Sequence, residues 1–283
     1  MKKKLLSAVR VVLSSKQLLI GLIGASILLF AVIFAPQITS FDPHHFGPSP
    51  RSGIGENGHI LGSTHLGQDV FAMMIYGART SLMVALVAGS ISATLGILLG
   101  GIAGFFGGIA DRIITEIMNM FMIIPFLILV MFVIFLFGSS IFNIMIVLGV
   151  LSWPGNARLM RAQAMSFRER TFVKGAQAMG ENRLQLLVKY IIPNGLFPVV
   201  ANTTLGMAGA IMAEAGLSFL GLGDPTIISW GQMINIGRPF IMTQWWTTAF
   251  GGIAIVYTVI VINLVGDGLN QVLNPKHASR AKR

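Results

Sequence analysis

The sequence predicts an all-α membrane protein with six transmembrane helices and both termini on the cytoplasmic side. Three observations lead there. Of 283 residues, 54% are hydrophobic and only 11% are charged, whereas a soluble domain carries about 25% charged residues. Apolar runs approaching the ~20 residues that cross a bilayer as a helix recur six times. Of the 20 Lys and Arg residues, all except Arg51, Arg79 and Arg238 fall in segments that share one side of those runs. Lys and Arg accumulate on the cytoplasmic side of a membrane. The formal net charge of +10 therefore reads as orientation, and two basic ends imply an even number of spans.

The expected spans are 18–34, 81–106, 113–137, 140–153, 196–217 and 247–265. The first follows Lys2, Lys3, Lys4, Arg10 and Lys16. Its apolar run is longer than a signal-peptide core, and Pro36 follows with no small-x-small cleavage site, so it is expected to be retained. Between the third and fourth lies Gly138-Ser139-Ser140, a turn signal; Pro154 is placed to kink the fourth rather than end it. The chain then divides into a cytoplasmic N-terminus with the first helix (1–36), an extracytoplasmic loop (37–80), a five-helix transmembrane domain (81–267) and a basic cytoplasmic tail (268–283). The transmembrane domain carries a long cytoplasmic loop at 154–194.

In the second span Ala85, Gly89 and Ala93, then Gly96, Gly100, Gly104 and Gly108, recur four apart with one slip to three. Residues four apart share a helix face, and a stripe of small ones lets another helix approach closely. Packing inside the bundle is the expected use; a homodimer is not required. Few acids lie in or beside the spans: Asp111, Glu116, Glu214 and Asp267. A charge at the bilayer centre costs about 2.5–3.5 kcal/mol, so such groups face a partner or a cavity. Glu214 and Glu116 are candidates for a substrate pathway or gate, and the plainer reading of Glu214 is a structural hydrogen-bonding carboxylate. The spans hold no relay of His and Lys, which gives a proton-coupled carrier little support.

Several chemistries are set aside. With no cysteine there is no disulfide framework and no thiolate metal site. Gly53-Ile54-Gly55-Glu56-Asn57-Gly58 matches G-x-G-x-x-G, but a dinucleotide site needs a strand before it and a helix after it; here two prolines precede it in an outside loop, so it reads as turns. There is no Gly-Lys pair for a phosphate loop and no H-E-x-x-H. His44, His45, His59 and His65 share the outside loop and are expected to be exposed, with no metal bound. Catalysis by this chain is not expected.

The segment 154–194 interrupts the apolar pattern with seven basic residues: Arg158, Arg161, Arg168, Arg170, Lys174, Arg183 and Lys189. A helix is expected over about 169–179, with Phe172, Ala176 and Met179 as an apolar stripe. Gly180 would end it in the left-handed conformation. Asn182 would cap a second helix, with Gln185 completing a capping box. Leu184, Leu187 and Val188 would form its apolar face, and Pro193 would stop it. A helix this short is unstable alone in water, so it docks either on its own bundle or on a cytoplasmic partner. The spans come too close for a DNA-reading helix-turn-helix, and nucleic acid is not an expected partner.

Three stretches carry a resemblance. Lys174-Gly175-Ala176, Gly180 and Ile191-Ile192-Pro193-Asn194 stand where the coupling loop of ABC importer permeases has E-A-A, a glycine and a closing I-x-P or L-P; Lys174 and Gly175 depart from that pattern. HILGSTHLGQDVFAMMIYGARTSL (59–82) and AEAGLSFLGLGDPTIISWGQMI (213–234) resemble the C-type permease subunits of the dipeptide/oligopeptide/nickel family. The resemblance implies the type I ABC importer permease fold in the cell membrane of a prokaryote. It implies a heterodimer with a related permease, two cytoplasmic ATPases that bind ATP and Mg while this chain binds no cofactor, and an extracytoplasmic solute-binding protein that delivers cargo. Small peptides are the expected cargo; nickel, glutathione and short oligosaccharides are alternatives. Phe172, Val173, Lys174, Gly175, Ala176, Ala178, Met179 and Gly180 would then couple to an ATPase, with Phe172 as the plug.

Overall fold

The computed structural model describes residues 15–273. Lys2, Lys3, Lys4 and Arg10, and the tail from Lys276 onward, lie outside the described residues. Helix α1 (Lys16–Ile33) opens at Ser15, whose hydroxyl accepts from the Leu18 amide. A one-turn helix, Ala35–Ile38, and a segment of turns follow, with one isolated bridge between Ser63 and Asp69. The Asp69 carboxylate accepts from the Ala72 amide at 2.6 Å and so satisfies a donor that the first turn of a helix leaves free. Helix α2 (Val70–Phe106) therefore starts well before residue 81 and runs for 37 residues. The stretch 70–80, expected as loop, is helix. Its one cation is accommodated: Arg79 stacks on Tyr76 at 5.2 Å and donates to the Val32 carbonyl.

The expected third span is broken. Helices α3 (Gly108–Ile123) and α4 (Phe126–Phe137) meet at 90°. Ile124 is extended, as the residue before a proline prefers, and Pro125 supplies no amide to continue the ladder. Hydropathy cannot see this break, because the apolar run passes through it. Helix α5 (Ile141–Leu151) has 11 residues, too few to cross alone. Ser152 ends it, and Pro154 sits in the first turn of α6 (Trp153–Arg168), where its missing N–H costs nothing.

Helix α7 (Thr171–Ala178) is followed by a single helical turn, Arg183–Gln185, and a π-helical stretch, Leu186–Ile191. These run without interruption into α8 (Ile192–Phe219). Pro193 is thus no stop; it occupies the first turn of α8. Helix α9 (Trp230–Gly237) was not foreseen, and α10 (Trp245–Leu273) closes the described chain. Four helical stretches are long and apolar enough to cross a membrane, or five if the bent α3–α4 pair is one span. That is short of the six expected, because the fourth run is divided at Ser152.

Helix α2 is the centre of the bundle. Toward its N-terminal end Val70 and Met73, with Ile211 of α8, pack with Trp230 and Met233 of α9. In the middle Val84 and Ala88 meet α4, α5 and Leu217. At its C-terminal end Phe105 joins Met160 and Ala164 of α6, together with Val173 and Ala176 of α7.

Candidate functional site

The C-terminal half of α2 is built on glycines. A Cβ on Gly96 would stand 2.9 Å from the Ala157 amide nitrogen, one on Gly100 2.8 Å from the Ala157 Cα, and one on Gly104 2.8 Å from the Ala164 Cβ. Contacts as close as these do not occur between real side chains, so α2 and α6 touch backbone to backbone. The contacts advance together along both helices, which run parallel and within one chain. Gly108 does not belong to this seam: nothing lies within 4 Å of its Cβ position, and its φ is +57°. Beside a second left-handed residue, Gly107, it serves the turn between α2 and α3. Arg161 of α6 then holds Asp111 of α3 through both carboxylate oxygens, at 2.5 and 2.7 Å, in the two-pronged geometry that makes Arg–carboxylate pairs strong. This pair links α3 to α6.

On this platform α7 is docked by one side only. Val173 and Ala176 are buried, at 2% and 1% exposure, whereas Phe172 is 46% and Met179 80% exposed. The expected stripe of Phe172, Ala176 and Met179 is therefore divided: Ala176 faces inward and the two larger side chains outward. Gly175 has nothing within 4 Å of its Cβ position, so the outward face is low between Phe172 and Met179. Lys174 and Ala178 are also exposed. The Lys174 ammonium lies 3.0 Å from Glu169 and, with Arg168, holds that carboxyl below the usual carboxylate range. The charge of Lys174 is thus partly balanced within its own chain.

Gly180 takes a φ of +93°, and the Glu181 amide bonds back to the Ala176 carbonyl, as in a left-handed helix stop. The capping box is present: Asn182 accepts from the Gln185 amide at 2.8 Å and Gln185 accepts from the Asn182 amide at 3.0 Å. Asn182→Ala is expected to cost about 1 kcal/mol of stability, read as a fall in denaturation midpoint. The face that follows differs from the expected one. Leu186, Leu187 and Ile191 are buried, while Leu184 and Val188 are exposed. The π-helical turn rotates the apolar side relative to a 3.6-residue repeat.

Toward the C-terminal end of α8, Glu214 is 1% exposed. Its Oε1 accepts from the Ser218 hydroxyl at 2.8 Å and the Ser229 hydroxyl at 2.6 Å. Ser229 in turn accepts from the Gln232 amide and caps α9. The Trp230 amide donates to Ser81 Oγ, and its indole donates to the Met74 carbonyl. Glu214 thus ties α8 to the start of α9, and Trp230 ties α9 to α2. Glu116 is exposed on α3, and no hydrogen bond joins it to Glu214. Glu214→Gln, which keeps an acceptor oxygen, is expected to preserve the fold; Glu214→Leu strands the two serines and costs about 1–3 kcal/mol. Thermal melts of the purified complex read both.

The loop before α2 corrects one further expectation. His44 and His45 are exposed, but His59 is 4% exposed and bonds Asp69 at 2.8 Å. His65 stacks on Phe240; burial, then the Arg51 charge, lower its basicity. Among the described residues no three His, Cys, Asp or Glu gather as a metal site. Gly53 to Gly58 form turns, with Gly55 and Gly58 at φ +80° and +84°.

A family model described as binding-protein-dependent transport system inner membrane component matches residues 96–278. The probable D,D-dipeptide transport system permease protein DdpC of Escherichia coli K12 is 35% identical over 251 residues, 88% of this chain and 84% of that protein. The dipeptide transport system permease protein DppC of Alkalihalophilus pseudofirmus is 34% identical over 266 residues, 94% of this chain and 88% of that protein. The inward-facing MetNI methionine ABC transporter superposes with a TM-score of 0.57 at 21% identity, over 71% of this chain and 96% of that one, which shows a shared fold. The matched region contains the glycine seam, the docked α7 and the α8–α9 tie. This multi-pass membrane chain belongs to the family of binding-protein-dependent transport system inner membrane components.

Proposed function

We propose that the chain is the permease subunit of an ATP-driven importer, translocating small peptides delivered by an extracytoplasmic solute-binding protein. The observation that carries the reading is the likeness to peptide-transport permeases over about nine-tenths of the chain. The outward face of α7 supports it, because in an ATP-driven importer a permease without a phosphate loop needs a surface on which an ATPase can dock. In this reading α5 and α6, joined at Ser152, make the fourth crossing and α3–α4 the third, so the chain crosses six times with both ends inside. A related permease completes the channel, and two ATPases bind ATP and Mg. Phe172, Gly175 and Met179 face one ATPase, while Val173, Ala176 and Gly180 hold α7 in place. Glu214 is assigned to the frame of the outer end, and Glu116 to no step.

The test is uptake into vesicles holding the full complex. Labelled dipeptide should accumulate only with ATP and with all subunits present. Uptake driven by a proton gradient without the ATPases would refute the reading. Competition by nickel, glutathione or short oligosaccharides, where dipeptides fail to compete, would reassign the cargo.

A further inference from the structure

Near the middle of α2 the bundle holds an uncharged polar cluster. Asn156 of α6 donates to Ser92 of α2 at 3.0 Å and accepts from Asn202 of α8 at 2.9 Å. Ser152 and Thr203 line the same small cavity of about 50 Å³. Thr203 is 7% exposed, and its hydroxyl has no hydrogen-bond partner. A buried hydroxyl left unpaired costs free energy unless something reaches it. Asn202 is only part-buried; one amide hydrogen goes to Asn156, which leaves its other donor and a carbonyl to offer.

The cluster opens onto a floor of glycines. Gly206 and Gly209 of α8 are exposed with nothing within 4 Å of their Cβ positions, and the nearest neighbour of a Cβ on Gly155 is Asn202 at 3.9 Å. Asn202 lies about 15 Å along α8 from Ile192, at 1.5 Å per residue. Hydrocarbon does not satisfy such a surface, because the free amide groups of Asn202 and the unpaired Thr203 hydroxyl find no partner in lipid. Exposed positions elsewhere carry large apolar side chains, such as Leu86 and Phe135. The face of Ser152, Asn202 and Gly206 is therefore turned toward water or toward a polar solute.

Resting on the permease reading above, we propose that Asn202, Thr203 and Ser152, backed by the Ser92–Asn156 pair, form a subsite for the backbone amides of a peptide in transit. An Asn side chain is itself an amide and pairs with a peptide unit as donor and as acceptor. The cavity lining holds no charged residue, so the subsite is indifferent to the charge of the cargo's side chains. The glycine floor lets an extended backbone lie close. Neutral hydrogen bonds also hold weakly enough for a solute to leave, which a pathway requires.

The absence of native cysteine makes the test direct. In the assembled transporter, Gly206→Cys and, as the smaller change, Ser152→Cys should react with a water-soluble, membrane-impermeant thiol reagent, and excess dialanine should slow the reaction. Leu86→Cys should stay inert. Asn202→Ala should raise the KM for dialanine uptake about three- to tenfold with kcat retained, and Asn202→Gln should recover most of it. Inert cysteines in a complex that transports normally would show a packed face and overturn the proposal, as would reaction without protection, or an unchanged KM. Failure of the wild-type complex to take up any peptide would instead overturn the permease reading.

Discussion

Gly100→Leu is expected to abolish recovery of the folded chain, while Gly101→Ala, one residue along, is expected to leave it intact or slightly stabilised. The two glycines differ in what a side chain would meet. At Gly100 a Cβ falls on the backbone of Ala157, with the Cα at 2.8 Å and the carbonyl carbon at 2.9 Å. Backbone in the middle of a helix cannot step aside, so α6 must move as a body. That would pull Arg161 away from Asp111 and shift the surface on which α7 rests. Overpacking of a tight core costs about 1–3 kcal/mol even where side chains can adjust; here the loss should be at least about 3 kcal/mol. At Gly101 the nearest atoms are side-chain termini of Leu187, Ile192 and Met160, at 3.6 to 3.8 Å, an ordinary contact. Alanine there gains up to about 1 kcal/mol of helix propensity. Monodisperse yield in detergent and the thermal midpoint measure both. A well-folded Gly100→Leu chain would mean that α2 and α6 are not in backbone contact.

What the sequence made legible follows from how local each signal is. The Asn182–Gln185 box and the left-handed Gly180 depend on residues within four of each other, and both stand as read. The stripe of glycines was legible as a stripe; that α6 is the partner of Gly96, Gly100 and Gly104 while Gly89 meets Met207 of α8, and that Gly108 leaves it for a turn, depends on chain tracing that no periodicity holds. Hydropathy located the apolar runs but not their breaks. Pro125 turns the chain through 90° inside an unbroken apolar stretch, whereas Pro193, read as a stop, sits where a helix tolerates it. The start of α2 was missed because Tyr76, Arg79 and Thr80 look like loop, although Asp69 is a recognisable cap. Glu214 was noticed as an acid in an apolar helix, but its partner Ser229 lies beyond a turn and opens a helix that no strong periodicity announced. The α7 face was misjudged for a different reason. Three apolar residues at helical spacing do not say which side docks, and in an eight-residue helix with small residues between them the buried side can be Val173 and Ala176 instead.

That reassignment sharpens the last expectation. Phe172→Ala should cut transport sharply while leaving the chain folded and inserted, because Phe172 is nearly half exposed and the core beneath it is filled by Val173. An aromatic side chain anchored in a partner's groove commonly contributes 2 kcal/mol or more to binding, so retention of the ATPase on the purified permease should weaken about thirtyfold, with uptake falling in step. Val173→Ala should do the reverse. It removes buried methyl groups from the cluster of Leu186, Leu187 and Ile191, lowers stability by about 1–2 kcal/mol, and leaves coupling per folded complex unchanged. Met179→Ala should fall between the two, since Met179 is more exposed and stands one residue before the Gly180 turn. If Phe172→Ala retains both the ATPase and uptake, the outward face of α7 is not the docking surface. If Val173→Ala uncouples hydrolysis from uptake at full stability, the buried side transmits the motion, and the division between a docked face and a docking face is wrong.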